Sequence, residues 1–197
     1  AIGRRPYTDG LGLAEAGVAV DERGRVKTDA HFRTNVEGIY AIGDVSGPPM
    51  LAHKASKEGE VAAEVIAGKA AGKDWVTIPG IIFTDPEIAQ VGLTEAVAKE
   101  KGHEVQVGRF PFSVLGRAMS IRETEGFVKI IRGLPRGEIL GAHIMGDQAT
   151  ELIAEMSLAR RLEATTEEII CTVHAHPTMH EAVREAALAS EGRVISA

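Results

Sequence analysis

The fold prediction for this chain depends most on residues 127–144, Phe-Val-Lys-Ile-Ile-Arg-Gly-Leu-Pro-Arg-Gly-Glu-Ile-Leu-Gly-Ala-His-Ile. Two runs within this stretch, 127–131 and 139–144, are rich in β-forming residues, and the segment between them contains glycine and proline. Outside it the residue patterns predict strands at 81–83 and 105–111, and helices at about 94–101, 148–161, 166–171 and 178–190. Such a mixture predicts an α+β unit around an antiparallel sheet.

The residues that precede this unit follow a different pattern. Over 13–37, short apolar pieces alternate with turn residues, which predicts short strands and hairpins. The run 39–42, Ile-Tyr-Ala-Ile, predicts a buried strand that stops at Gly43-Asp44. The connector-like composition of 68–79 places a domain boundary near residue 78. Between these segments a helix is predicted over 51–66, with one buried stripe formed by Leu51, Ala55, Ala62, Val65 and Ile66.

The composition is that of an ordinary soluble chain, 44% hydrophobic and 25% charged. The formal charge of −6 argues against a nucleic-acid partner, which requires a concentrated basic face. No apolar run approaches the roughly 18–20 residues of a membrane-spanning helix. We therefore expect a cytoplasmic protein without a membrane partner.

Cys171 is the only cysteine, which excludes an intrachain disulfide and a cysteine-based zinc site. A single cysteine fits a reducing compartment. Because Cys171 stands in an apolar stretch, we expect a buried small hydrophobe without a chemical role.

Asp44 is the first candidate binding residue. It follows a predicted strand and Gly43, so a ligand can approach the backbone, and its carboxylate can accept hydrogen bonds from a polyol such as a ribityl chain. The alternative is that Asp44 caps the following turn. The second candidate is the helix that begins near Met50-Leu51-Ala52-His53, because its free amides and dipole suit negative charge on a flavin ring. His53 is either a ligand contact or a partly exposed first-turn residue.

Residues 172–181, Thr-Val-His-Ala-His-Pro-Thr-Met-His-Glu, hold the most informative pattern. The residue before proline is extended and Pro177-Thr178 suits a helix start, so the carboxylate of Glu181 falls within reach of the His176 imidazole. Such a pair fixes the tautomer of the imidazole for general acid–base catalysis. Two alternatives remain: histidines that are only structural beside a helix cap, and a metal site built from His174, His176 and His180.

Four segments resemble the dihydrolipoamide dehydrogenases, a branch of the pyridine nucleotide–disulfide oxidoreductase family, in order and spacing. They are 3–6 (Gly-Arg-Arg-Pro), 34–44 (Thr-Asn-Val-Glu-Gly-Ile-Tyr-Ala-Ile-Gly-Asp), 50–55 (Met-Leu-Ala-His-Lys-Ala) and 174–178 (His-Ala-His-Pro-Thr). The similarity covers essentially the whole chain. The Gly-Asp element is shared by the wider family, whereas the last two segments look specific to the lipoamide branch.

The resemblance implies the C-terminal part of an FAD- and NAD-linked reductase. It implies the tail of an NAD-binding domain at 1–12, the C-terminal part of an FAD-binding domain at 13–78, and at 79–197 an interface or dimerisation domain of antiparallel sheet and helices. The implied cofactor contacts are Gly3 with the nicotinamide cofactor, Asp44 with the ribityl or pyrophosphate part of FAD, and Met50, Leu51, Ala52 and His53 along the flavin. His176 would be the catalytic acid–base and Glu181 the carboxylate that orients it, facing the flavin and disulfide of the partner subunit in a homodimer.

The reaction implied by the resemblance is oxidation of a dihydrolipoyl group, carried by the acyltransferase component of 2-oxo acid dehydrogenase complexes, with electrons passing through FAD to NAD. No metal is expected. The sequence departs from the family in lacking a Gly-x-Gly-x-x-Gly fingerprint after a strand and a pair of cysteines. We therefore expect a piece of the enzyme that is inactive alone. The alternatives are a non-catalytic dimerisation module and another disulfide oxidoreductase of the same family, such as a mercuric or glutathione-type reductase.

Overall fold

The computed structural model of the protein describes residues 2–195 and divides into two compact units, Ala1–Trp75 and Val76–Ala197. Residues 1, 196 and 197, which belong to the expected segments 1–12 and 79–197, lie outside the described residues. In the described part of the chain no helix has both the length and the apolar character needed to cross a membrane.

The first unit is organised around α1 (Ala52–Ile66), which begins and ends close to its predicted limits. A short 3₁₀ helix at Gly43–Ser46 precedes α1. The hairpins expected earlier in the unit are represented by an isolated antiparallel bridge between Val20 and Val26. The apolar face of α1 packs against Phe32 through Val61, Ala62 and Val65.

The predicted buried strand at 39–42 is wrong. Tyr40 pairs with Arg33 as an isolated antiparallel bridge, and the side chains of Ile39 and Ile42 are exposed. A strand is stabilised by a continuous ladder of hydrogen bonds to a neighbouring strand, whose side chains help to bury its own. Among the described residues no such ladder continues from this bridge.

The buried face of α1 also differs from the predicted stripe. Ile66 is exposed, whereas Lys54 and Glu58, which the apolar pattern left out, are each about 1% exposed. The buried positions follow the 3.6-residue period of a helix, and residue 66 falls off that face. They are Lys54, Glu58, Val61, Ala62 and Val65.

The second unit contains a five-stranded antiparallel sheet, which confirms the predicted α+β architecture. Its strands lie in the spatial order β1-β2-β5-β4-β3 and are β1 (Gly80–Ile82), β2 (Ile88–Gly92), β3 (Val105–Pro111), β4 (Gly126–Gly133) and β5 (Ile139–Gly146). Residues 127–144 therefore contribute the two adjacent inner strands β4 and β5, where Val128 lies opposite Ile144 and Ile130 opposite Ala142.

Helices cover this sheet. They are α2 (Glu95–Glu100), α3 (Gly116–Ile121), α4 (Ala149–Arg161), α5 (Thr166–Cys171) and α6 (Glu181–Ala189). The core between sheet and helices is fully buried and includes Phe110, Val128, Leu152, Met156 and Ala186. The packing of α4 and α6 on the sheet sets the position of the residues that follow α5 and precede α6.

The second unit differs from the sequence predictions in four respects. The strand β2 and the helix α3 were not predicted, and the last helix begins at Glu181 rather than near residue 178. Cys171 is exposed, not buried. The helix α5 turns Ile169 and Ile170 into the core, so the next residue, at its last turn, faces outward.

Candidate functional site

The loop before α1 presents Asp44. Gly43 is buried and adopts φ +73°, a left-handed conformation that disfavours side chains, and a Cβ added there would lie 3.2 Å from the Cβ of Ala55. Asp44 follows on the 3₁₀ helix with its side chain exposed. Among the described residues no hydrogen bond or ion pair to its carboxylate is found, so the capping alternative has no contact to support it.

A buried ion pair fastens this loop to α1. The Nζ of Lys54 lies 3.2 Å from Oε1 of Glu58, and Nζ also donates hydrogen bonds to the carbonyl oxygens of Gly43 (3.3 Å) and Gly47 (2.8 Å). The backbone N–H of Gly43 donates to Oε2 of Glu58 at 2.6 Å. The apolar pattern of the helix did not predict this pair, although a Lys and a Glu four residues apart are a sequence signal for an ion pair on a helix.

The start of α1 lacks a side-chain cap. Leu51 is the N-cap residue, and no side chain makes a capping hydrogen bond there. Met50 and Leu51 are half-buried, whereas Ala52 and His53 are exposed. An uncapped helix start of this kind carries partial positive charge that suits an anionic or polar ligand.

Gly3, the predicted nicotinamide contact, lies in the irregular segment that begins the described residues. It is exposed and has φ +125°, a backbone conformation that favours glycine. Asp44 and the start of α1 are adjacent in the chain and joined through the Lys54–Glu58 pair, whereas no described contact joins Gly3 to them.

In the second unit, His176 and Glu181 form the predicted pair. The Nδ1 of His176 lies 2.8 Å from Oε1 of Glu181, and the His176 side chain is 77% exposed. A carboxylate only accepts hydrogen bonds, so Nδ1 donates to Glu181, and in the neutral imidazole Nε2 carries the free lone pair. The pair therefore presents a hydrogen-bond-oriented base on the surface of its own chain.

Glu181 is held ionised by its surroundings. Partial burial alone would raise the pKa of Glu181, but hydrogen bonds from the backbone N–H of Thr178 and from His176 outweigh burial and lower that pKa below its usual value. The Thr178 N–H lies 2.9 Å from Oε2, and the Thr178 hydroxyl donates to the carbonyl of Ala175 at 2.7 Å. Both carboxylate oxygens are thus occupied, one by the turn and one by the imidazole.

His174 forms a second imidazole–carboxylate pair, with Glu155 of α4. Its Nε2 lies 2.8 Å from Oε1 of Glu155, its Nδ1 lies 3.0 Å from the carbonyl oxygen of Thr172, and its side chain is 6% exposed. Glu155 was not predicted as a partner, because it lies nineteen positions from His174 and no local spacing connects the two residues. His180 approaches the other oxygen of Glu155 only at 3.9 Å.

This arrangement does not bring the three histidines together around one point. His174 turns inward to Glu155 and His176 turns outward to Glu181. No group of three or more potential metal-binding side chains is found in the part of the chain that the structure describes.

A groove of about 480 Å³ lies beside His174, between α4, α5 and the segment 172–175. Its lining is mostly apolar. Three of its apolar side chains, Leu158, Leu162 and Val173, are largely exposed. The second unit therefore belongs to the class of α+β domains and carries both a surface imidazole–carboxylate pair and an open apolar groove.

Comparison with known proteins gives the family. The model of the pyridine nucleotide-disulphide oxidoreductase dimerisation domain matches residues 78–187, and the pyridine nucleotide-disulphide oxidoreductase model matches residues 1–59. The chain belongs to the pyridine nucleotide-disulphide oxidoreductase family.

Two relatives and one solved structure match nearly the whole chain. The dihydrolipoyl dehydrogenase of Bacillus subtilis is 50% identical over 98% of the chain and that of Halobacterium salinarum is 49% identical over 99%. The structure of LpdA from Mycobacterium tuberculosis matches 94% of the chain with a TM-score of 0.87 and 30% identity. In each case the chain spans only 41% of the length of the protein that it matches.

Proposed function

We propose that this chain supplies the acid–base pair, part of the FAD site and the dimer interface of an NAD-dependent dihydrolipoyl dehydrogenase. The observation that carries the proposal is the exposed His176 imidazole 2.8 Å from the Glu181 carboxylate. The relatives of about 50% identity support the substrate class. Because the chain spans 41% of their length, the activity belongs to the complete flavoenzyme, in which the remaining parts are supplied outside these residues.

The residues before and within α1 fit a flavin dinucleotide. Asp44 is exposed and without a described partner, the Lys54–Glu58 pair holds its loop, and the N-cap residue of α1 makes no side-chain capping hydrogen bond. Asp44 would bind the ribityl or pyrophosphate part of FAD, and Met50, Leu51, Ala52 and His53 would lie along the flavin. Gly3 would contact the NAD. When bound, FAD supplies the two-electron acceptor and donor between the dithiol and NAD.

His176 would act as the base that generates the attacking thiolate. Nε2 accepts the proton of a dihydrolipoyl S–H, since Nδ1 is engaged with Glu181. The thiolate then attacks one sulfur of a disulfide, forms a mixed disulfide and releases the other sulfur as a thiolate. The second substrate thiol displaces the enzyme sulfur, which leaves lipoamide oxidised and the enzyme as a dithiol. The disulfide must come from outside this chain, because Cys171 is its only cysteine.

We further propose a cytoplasmic homodimer. The match of residues 78–187 to a dimerisation domain supports self-association, and the exposed apolar groove supports a protein contact on that unit. The dihydrolipoyl substrate would be carried by the acyltransferase component of a 2-oxo acid dehydrogenase complex.

The test is a His176→Gln substitution in the complete flavoenzyme. Turnover with dihydrolipoamide should fall at least about 100-fold, as expected for loss of a general acid–base. Glu181→Gln should lower turnover less, because the imidazole remains but loses its orientation. His103→Gln, which removes another exposed histidine, should leave turnover unchanged.

Near-normal turnover of the His176 variant would contradict the assignment. An FAD-free, colourless dimer without dithiol-oxidising activity would instead favour the non-catalytic dimerisation module. Oxidation of a different dithiol or reduction of mercuric ion or glutathione disulfide in place of dihydrolipoamide turnover would favour another reductase of the family.

A further inference from the structure

The buried imidazole of His174 faces two hydrogen-bond acceptors. Its Nε2 lies 2.8 Å from a carboxylate oxygen of Glu155, and its Nδ1 lies 3.0 Å from the carbonyl oxygen of Thr172. A carbonyl oxygen and a carboxylate both accept and neither donates. A neutral imidazole has one N–H and satisfies only one of these contacts, whereas an imidazolium satisfies both.

The surroundings of this imidazole favour its charged form. The hydrogen bond to Glu155 raises the pKa of His174, burial opposes that effect, and the net direction is upward. The Arg184 cation of α6 acts in the opposite sense to Glu155. The other charged or titratable groups beside His174 are Cys171 and Glu168 of α5, Glu181 and Glu185 of α6, and His180.

The segment that carries His176 is also bonded to α5 and α6. His176 and the backbone N–H of Thr178 bond to the Glu181 carboxylate at the start of α6. Thr172 donates its hydroxyl hydrogen to the carbonyl of Glu168 in α5, and Thr178 bonds Ala175 within the segment. The direct bond from the segment to α4 is the His174–Glu155 pair. His174 lies two residues before His176, and its ring turns inward to Glu155 while the ring of His176 turns outward to Glu181.

We propose that His174 is a positioning residue, an imidazolium that joins the segment 172–178 to α4 through Glu155 and so sets the position of His176. This inference goes beyond the proposed function and rests on it for the role of His176. The anchor has a definite pH dependence. Because the pKa of folded His174 is raised, the stabilisation is fully present below the usual histidine range and is lost as the pH rises through the raised pKa.

The test compares Glu155→Gln with a matched control in the complete flavoenzyme. Glu151→Gln removes an exposed carboxylate from the same helix, and Glu155→Asp keeps a carboxylate at the anchor. We expect Glu155→Gln to lower kcat with dihydrolipoamide about tenfold or more, because a misplacement of about 1 Å in a reacting group has effects of that order or larger. As the pH rises, the kcat of Glu155→Gln should fall at a lower pH than the kcat of the unsubstituted enzyme. Glu155→Asp should recover part of the lost kcat, and Glu151→Gln should match the unsubstituted enzyme.

A second readout does not depend on turnover. In enzyme labelled with ¹⁵N-histidine, both ring nitrogens of His174 should remain protonated above the pH at which an ordinary histidine ring loses its proton. Glu155→Gln should weaken the signal of the hydrogen-bonded Nδ1 proton of His176. A neutral His174 ring would overturn the proposal, as would a Glu155→Gln profile and His176 signal identical to those of Glu151→Gln. Absence of dihydrolipoamide turnover in the unsubstituted enzyme would instead refute the proposed function. In that case, or if Glu155→Gln loses its fold by circular dichroism, the ring protonation in the unsubstituted protein still decides whether the anchor exists.

Discussion

At the scale of single residues, burial separates two lysine–glutamate pairs on the same helix. Lys54 and Glu58 are each about 1% exposed, whereas the side chains of Lys57 and Glu60 are 66% and 65% exposed. Both pairs have short nitrogen–oxygen distances, 3.2 Å and 2.8 Å. An exposed pair is screened by water, but removing one partner of a buried pair leaves a charge without solvent or counterion.

We therefore predict that Glu58→Ala destabilises the first unit strongly. The free energy of unfolding should fall by about 3–5 kcal/mol, because Lys54 loses its counterion in the interior. The N–H of Gly43 loses its acceptor as well. Glu60→Ala should change the free energy of unfolding by less than about 1 kcal/mol. Urea denaturation followed by tryptophan fluorescence measures both, since Trp75 is the only tryptophan and its ring centroid lies 5.8 Å from Nζ of Lys54.

Equal effects of the two substitutions would show that the buried pair does not hold the loop. A large effect on unfolding together with weaker FAD binding in the complete flavoenzyme is the outcome expected if the loop presents Asp44 to the cofactor. A Glu58→Ala variant that unfolds more easily but binds FAD normally would separate the stability of α1 from the binding role proposed for Asp44.

At the scale of elements, the approach of α6 to β3 depends on one glycine. A Cβ added at Gly108 would overlap the carbonyl oxygen of Ala186 and would lie 2.5 Å from the backbone nitrogen of Ser190 and 2.9 Å from its Cβ. These atoms belong to backbone and to a short side chain, so they cannot move aside without shifting the helix. Because α6 begins with Glu181, a shift of this helix also moves the carboxylate that orients His176.

Gly108→Ala should accordingly lower the free energy of unfolding of the second unit by about 1–3 kcal/mol or more, as overpacking does in other cores. Gly116→Ala is the matched control, since Gly116 lies in α3 with no atom within 4 Å of an added Cβ. That control should be neutral or stabilising by up to about 1 kcal/mol. Hydrogen exchange of the α6 amides, measured on both variants, checks the prediction, and unchanged protection of α6 in Gly108→Ala would disprove it.

At the scale of the whole molecule, the apolar groove beside His174 is the surface on which we expect a second copy to pack. Exposed apolar side chains gathered in one place are unusual on a monomer and mark a contact surface. Leu162 is 70% exposed and Val173 is 94% exposed, and both line the groove. In the proposed enzyme the same contact would bring His176 to the disulfide of the other subunit.

Leu162→Glu should therefore weaken self-association of the complete flavoenzyme and lower its turnover in parallel. Sedimentation velocity over a dilution series measures the first effect, and dihydrolipoamide oxidation measures the second. Met119→Glu changes an exposed apolar residue of α3 in the same way and should leave both unaffected. If the Leu162 variant remains a dimer at every concentration, the subunits associate through another surface.

Much of the second unit could be predicted because its elements are long or carry local signals. The pattern of β3 matched the observed limits, and α4 and α5 lie within a residue of their predicted ranges. Thr165 caps α5 through a capping box with Glu168, and this signal depends only on residues three positions apart in the sequence. By contrast, β2 and α3 are short, and α3 begins with glycine, so their stability comes from packing on neighbours rather than from their own propensity.

The sequence by itself determined the features that depend on neighbouring residues, namely the long helix before the connector, the antiparallel α+β character of the second unit and the His176–Glu181 pair. Residues five apart meet here through hydrogen bonds within the segment 176–181, in which Glu181 accepts from both the Thr178 N–H and the His176 imidazole. Only the tertiary structure decided that Glu155 meets His174, that Glu58 receives the N–H of Gly43 and that Cys171 faces solvent. These contacts and exposures depend on which faces the helices bury when they pack, and the local spacing of residues does not predict those faces.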